Sequence, residues 1–115
     1  MRRPSHAKTG GFIMIVCTTW KARPLSPEQT NRMMEVWAKT EAREAEDPSS
    51  ERLCWYIAAD GGSGITISRF DGSDAAVAAG LEISLALSEF IELESKIVLD
   101  MDAAMPAITA AIGYL

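Results

Sequence analysis

The run Leu53-Cys54-Trp55-Tyr56-Ile57-Ala58-Ala59-Asp60-Gly61-Gly62-Ser63-Gly64-Ile65-Thr66-Ile67-Ser68-Arg69-Phe70 decides the fold. Both arms are rich in aromatic and β-branched residues, which suit a pleated surface, and the second alternates apolar and polar residues with the period of a strand. Between them, Asp60-Gly61-Gly62-Ser63 supplies the glycines of a tight hairpin turn. A phosphate-binding loop uses similar glycines, but such a loop opens a helix, and here a strand follows. The centre of the chain is therefore a β-hairpin, and its flanks determine which sheet it joins.

Upstream, Ser26-Pro27-Glu28-Gln29 combines a capping hydroxyl, a proline at the first helical position and a glutamine that closes a capping box. The helix that starts there has an apolar stripe of Met33, Met34, Trp37 and Ala38. Glu35, Lys39, Glu41, Arg43 and Glu44 fall on the side read as solvated, and Asp47-Pro48 ends it. The run from Phe12 to Trp20 before it reads as a central strand. Downstream, Ser73 caps a helix reaching about Leu87, with Val77, Leu81 and Leu85 on one line and Ile83 and Leu87 on another. A strand from about Phe90 to Leu99 follows. It carries Ile91, Leu93, Ile97 and Leu99 on one face and Glu92, Glu94 and Lys96 on the other. A short helix from about Asp102 carries Ile108 and Ile112.

The order β-α-β-β-α-β is the split βαβ pattern of ferredoxin-like α+β folds. Right-handed crossovers place two helices on one face of a four-stranded antiparallel sheet, with the first and third strands central and the short C-terminal helix appended. Cys17 and Cys54 then lie on strands separated by the third, too far apart for a disulfide. Two free thiols suit a reducing, cytoplasmic setting. Strand parity assigns Met14, Val16, Ile57, Ile65, Ile67, Leu93 and Ile97 to the helix-covered face. The opposite face collects Cys17, Thr19, Cys54, Tyr56, Thr66, Ser68, Phe70, Glu92, Glu94 and Lys96. A face so mixed calls for a partner, and in a homodimer two such sheets enclose a polar-lined cleft.

Three segments carry a resemblance: Thr18-Thr19-Trp20 at a strand end, Arg69-Phe70-Asp71-Gly72 before the second helix, and Glu89-Phe90-Ile91-Glu92-Leu93-Glu94 entering the last strand. With this arrangement the chain, from about Phe12 to Met105, resembles small bacterial proteins of the dimeric α/β-barrel superfamily, nearest to members without assigned function. The resemblance implies a homodimer. Characterised relatives include cofactor-free antibiotic biosynthesis monooxygenases, muconolactone isomerase-like enzymes, haem-degrading proteins and stress-response barrels, which share a fold more than a chemistry. The catalytic histidines of several branches have no counterpart here, because the single histidine, His6, precedes the first strand.

With 115 residues, 48% hydrophobic and 23% charged, the chain suits one domain over 12–115, preceded by a disordered leader over 1–11; Met14 is an alternative start. The net charge is −5, and from Phe70 onward Lys96 is the only base, so nucleic acid is excluded as a partner. No apolar run approaches the ~20 residues of a membrane span. No metal-ligand spacing or nucleotide motif is present, so no cofactor is expected. Expected partners are a second copy of the chain and a small, partly apolar ligand. The candidate cleft residues are Thr19, Tyr56, Ser68, Phe70, Glu92 and Glu94. Glu92 and Glu94, two apart on one face, are expected to crowd one another and raise a carboxyl pKa, providing a general acid or base. Trp20, Trp37 and Trp55 read as core and interface residues, and Arg69 as the partner of a neighbouring carboxylate. Two functions stay open: a binding or interaction module, and a cofactor-independent monooxygenase or isomerase.

Overall fold

Seven elements follow one another in the computed structural model, which describes residues 14–115: β1 (Met14–Ala22), α1 (Pro27–Ala45), β2 (Ser50–Ile57), β3 (Ser63–Phe70), α2 (Asp74–Leu87), β4 (Ile91–Val98) and α3 (Met101–Ile112). The expected leader lies outside the described residues. At the start of α1 the Ser26 Oγ accepts from the Gln29 N–H at 3.1 Å, while the Gln29 Oε1 accepts from the Ser26 N–H at 2.9 Å. This reciprocal cap satisfies two backbone donors and stabilises the helix by about 1 kcal/mol. Ser73 caps α2 with its side chain alone, the Oγ accepting from the Ala76 N–H at 3.1 Å. The hairpin turns at Gly61, whose φ of 76° lies in the left-handed region.

The sheet is antiparallel with strand order β2-β3-β1-β4, so β1 and β3 are central as expected. Cys17 and Cys54 are free, on strands separated by β3. Both crossover helices cover one face. Among the described residues no helix is long and apolar enough to cross a membrane.

The register corrects one strand face. Trp20 stands opposite Gly64, Thr18 opposite Thr66, Val16 opposite Ser68 and Met14 opposite Phe70, so Thr66, Ser68 and Phe70 share the helix-covered face with Val16. Ile65 and Ile67 point the other way, beside Thr19 and Cys17. Reading the isoleucines inward follows the usual rule that apolar residues face the core. In β3 that rule is overridden at both ends: Phe70 is 8% exposed, and Gly64 lies beneath the Trp20 indole.

The core is concentrated where β1 ends and β4 begins. Trp20, Leu87, Phe90 and Ile91 are buried there, backed by Leu25, Met33, Val36, Trp37, Ile83 and Leu93. Elsewhere the layer between helices and sheet is not filled by side chains. Two apolar surfaces also lack a partner within one chain. The outer sheet face presents Tyr56 at 66% exposure among Ile15, Cys17, Ile65 and Ile67, and α3 carries Met101, Met105, Ile108 and Ile112 as an exposed stripe.

Candidate functional site

A cavity of about 430 Å³ lies between the helices and the sheet. Small residues on both sides create it. The face of α2 turned to the sheet is the stripe Ala76, Ala79, Gly80, Ile83, Ser84 and Leu87, whose first three members are too small to reach the strands. Beneath them, mid-sheet positions that would ordinarily hold aliphatic residues carry hydroxyls. Ser95, Thr18 and Thr66 are directly opposite one another across β4, β1 and β3, and Ser68 adjoins them. Thr18 Oγ1 and Ser95 Oγ are 2.8 Å apart. The hydroxyls of Thr66 and Ser68 have no hydrogen-bond partner among the described residues, so the floor keeps bonding capacity to offer.

A β-bulge between Arg52 and Cys54 builds one wall. Strict alternation would send residues three apart to opposite faces, but the extra residue lets Arg52, opposite Ser68, and Trp55, opposite Thr66, both face the cavity. Trp55 stacks on Trp37 of α1 with ring centroids 5.5 Å apart at 14°, and Trp37 meets Trp20 edge-on at 6.0 Å. The Arg52 guanidinium lies 4.3 Å from the Trp55 ring centroid and donates to both Glu41 oxygens, at 3.0 and 2.8 Å. That bidentate pair fixes Arg52 and neutralises it.

Glu41 and Glu44 line the cavity from the last turns of α1, and Asp47 lines it from just beyond the helix end. This corrects the reading of Glu41 and Glu44 as a solvated face: Met33, Val36 and Trp37 of α1 point to the core cluster, Met34 of the expected stripe is exposed, and the last turns of the helix face the unfilled space. Asp47 accepts from the Ser49 N–H at 2.8 Å and the Ser49 hydroxyl at 2.5 Å. The Glu44 carboxylate makes no hydrogen bond or ion pair within 4 Å among the described residues. Burial pushes its pKa above the ordinary carboxylate value, the negative charges of Glu41 and Asp47 push the same way, and Arg52 and Arg43 oppose them.

A carboxyl whose pKa is higher folded than unfolded costs stability once it must ionise. The cost is absent below the unfolded value, grows through the interval between the two, and is complete above the folded value. Glu44→Gln is therefore expected to raise the thermal midpoint at pH 7 and to leave it unchanged near pH 3.5. Scanning calorimetry at the two pH values checks this, and an equal shift at both would contradict it.

The sequence-derived site residues divide between the two faces. Ser68 and Phe70 line the cavity. Thr19, Tyr56, Glu92 and Glu94 belong to the outer face, separated from the other two by the sheet. Glu92 and Glu94 are 60% and 69% exposed, and each has its own cation, Arg23 at 3.4 Å and Lys96 at 3.8 Å. The confinement expected of that pair is absent in the single chain, because β4 is an edge strand open to solvent. Arg69 pairs with Glu51, as expected. Trp20 belongs to the core and Trp37 backs it, as expected, and both line the cavity together with Trp55. The bulge that brings Arg52 and Trp55 together leaves no clear sequence signal. The hydroxyls of β3 are legible as a set from alternation, and the register puts them on the helix-covered face instead of the outer one.

No family profile and no curated protein matches the chain. Solved structures do. The chain is similar to SnoaB, a cofactor-independent oxygenase from Streptomyces nogalater, at 18% identity and a TM-score of 0.56, covering 76% of this chain and 91% of that one. It is also similar to a candidate antibiotic biosynthesis monooxygenase from Nitrosomonas europaea, at 12% identity and a TM-score of 0.54 over 77% and 91% of the two chains. A conserved protein from Methanosarcina mazei matches at 13% identity and a TM-score of 0.53, over 79% and 96%. The fold is thus the ferredoxin-like one that the resemblance implied, shared with oxygenase-type proteins and with proteins of unstated function. At these identities the likeness is one of fold.

Proposed function

We propose that this chain is a homodimeric α/β-barrel protein that binds a small, flat, partly apolar molecule in the cavity between its helices and its sheet. One observation carries the reading: hydroxyls stand on the sheet floor where a core would put aliphatics, and alanines and glycine stand above them. Unfilled apolar volume costs stability, so a ligand that fills it recovers that burial, while the floor hydroxyls offer the ligand hydrogen bonds. The indoles of Trp37 and Trp55 provide an apolar wall, and Thr66 and Ser68 the polar groups that orient the occupant. Calorimetry with 2-naphthalenemethanol, a flat ring with one hydroxyl, tests it. The chain is expected to bind this probe, and the double variant Thr66→Val, Ser68→Ala to bind it at least about tenfold more weakly, which is near the cost of losing one or two hydrogen bonds. Equal affinity for both proteins would overturn the role given to the floor.

The outer face and α3 are the surfaces a second copy would cover. Their exposed apolar side chains include Tyr56, Met101, Met105, Ile108 and Ile112, and a specific contact needs ~1,000 Å² in total. Light scattering at micromolar concentration is expected to give twice the 12.5 kDa chain mass, and a 12.5 kDa species would contradict it.

A second reading, a cofactor-independent oxygenase or isomerase, has one observation in its favour: Glu44 places a carboxylate without a hydrogen-bonded partner at the cavity, able to take a proton from an activated carbon acid. Turnover of such a substrate that disappears in Glu44→Gln would replace the binding reading with this one.

A further inference from the structure

The charged groups around the cavity are unequal in number and in commitment. Glu41, Glu44 and Asp47 face one base, Arg52. Arg52 donates from both terminal nitrogens to the Glu41 carboxylate and sits over the Trp55 ring, so its charge is already committed. Asp47 is held by Ser49 and lies 4.0 Å from Arg43, which in turn donates to Glu82 at 2.9 Å. The lining therefore contains no uncommitted cation for an anionic ligand, and it has one carboxylate, Glu44, without a hydrogen bond or close ion pair. The wall beside it is a pair of stacked indoles, whose edges and remaining surface suit a flat ring and tolerate a nearby cation. The floor hydroxyls of Thr66 and Ser68 accept as readily as they donate, so they bond an ammonium group without adding charge.

We propose that the cavity selects ligands carrying a protonated amine on a flat apolar body, with Glu44 as the counter-charge, and that it rejects carboxylates and phosphates of the same shape. This rests on the small-molecule reading above and adds the charge of the ligand to it. An amine brought beside Glu44 finds a carboxylate whose water has already been partly removed, so the attraction between them is less screened than at an open surface. An anion in the same place meets three carboxylates and an arginine that would have to leave Glu41 to receive it.

The test uses one ring with three head groups on the full chain: 2-naphthylmethylamine, 2-naphthalenemethanol and 2-naphthoate, titrated by calorimetry at pH 7. The amine is expected to bind about tenfold more tightly than the alcohol, the low end for a charge-assisted hydrogen bond, and the naphthoate more weakly than either. In Glu44→Gln, checked by circular dichroism for a native fold, the amine-to-alcohol ratio is expected to fall to within about twofold of one. Naphthoate binding as tightly as the amine would overturn the charge preference while leaving the cavity a binding site. An amine-to-alcohol ratio unchanged in Glu44→Gln would overturn the assignment to Glu44. Failure of all three probes to bind at millimolar concentration would overturn the small-molecule reading itself, and this inference with it.

Discussion

Gly64→Ala is expected to unfold or severely destabilise the protein. A Cβ at this position would lie 2.4 Å from the Cε2 and Cζ2 atoms of the Trp20 indole, well inside any real contact distance. Neither side can yield cheaply. Gly64 is tied to β1 by the pairing that sets it opposite Trp20, and the indole is held by the buried cluster of Leu87, Phe90 and Ile91 and by the edge of Trp37. Alanine ordinarily gains about 0.5–1 kcal/mol over glycine in a strand, so the sign here is reversed by packing alone. Overpacking typically costs ~1–3 kcal/mol, which is a large share of a total stability of ~5–15 kcal/mol when the buried core is this small. Urea denaturation followed by tryptophan fluorescence should show the midpoint falling sharply, and an unchanged midpoint would mean that Trp20 does not sit over this strand.

The same kind of change at the other end of the layer should have the opposite sign. A Cβ at Gly80 meets nothing within 4 Å, although Gly80 lies in the interior of α2 on its cavity side. Glycine there forfeits about 1 kcal/mol of helix propensity with no clash to justify it. Gly80→Ala is expected to recover roughly that amount. Gly80→Leu should recover part of it, add the burial of a side chain worth up to ~2 kcal/mol, and close the cavity to the naphthalene probes. Stability gained with binding lost is the signature of volume kept open for an occupant. If Gly80→Leu binds 2-naphthalenemethanol as the parent chain does, the cavity is not where the ligand goes.

These two glycines show how far a single sequence can be read. The element order followed from local signals that are strong in isolation: the capping box at Ser26, the glycine turn after Asp60, and the alternation of β3. Strand order and the separation of the cysteines followed from handedness. The site was less legible for two physical reasons. Alternation fixes which residues of β3 share a face but not which face is covered. The decision therefore fell to the rule that aliphatics go inward, and a cavity floor built of hydroxyls is the case in which that rule fails. The bulge near Arg52 then breaks alternation in β2, so no period-two reading could bring Arg52 and Trp55 to one wall. Charge on a helix face usually marks a solvated side; what turns Glu41 and Glu44 toward the cavity is the missing volume on α2, a property of a different element.

The account stands or falls on which face of the sheet receives the ligand, and amide and indole chemical-shift mapping of the ¹⁵N-labelled chain during titration with 2-naphthalenemethanol measures that directly. The structure predicts shifts at the Trp37 and Trp55 indole N–H groups and at the amides of Thr18, Thr66, Ser68 and Gly80. Shifts confined instead to Cys17, Thr19, Tyr56, Glu92 and Glu94 would place the site on the outer face and contradict the account.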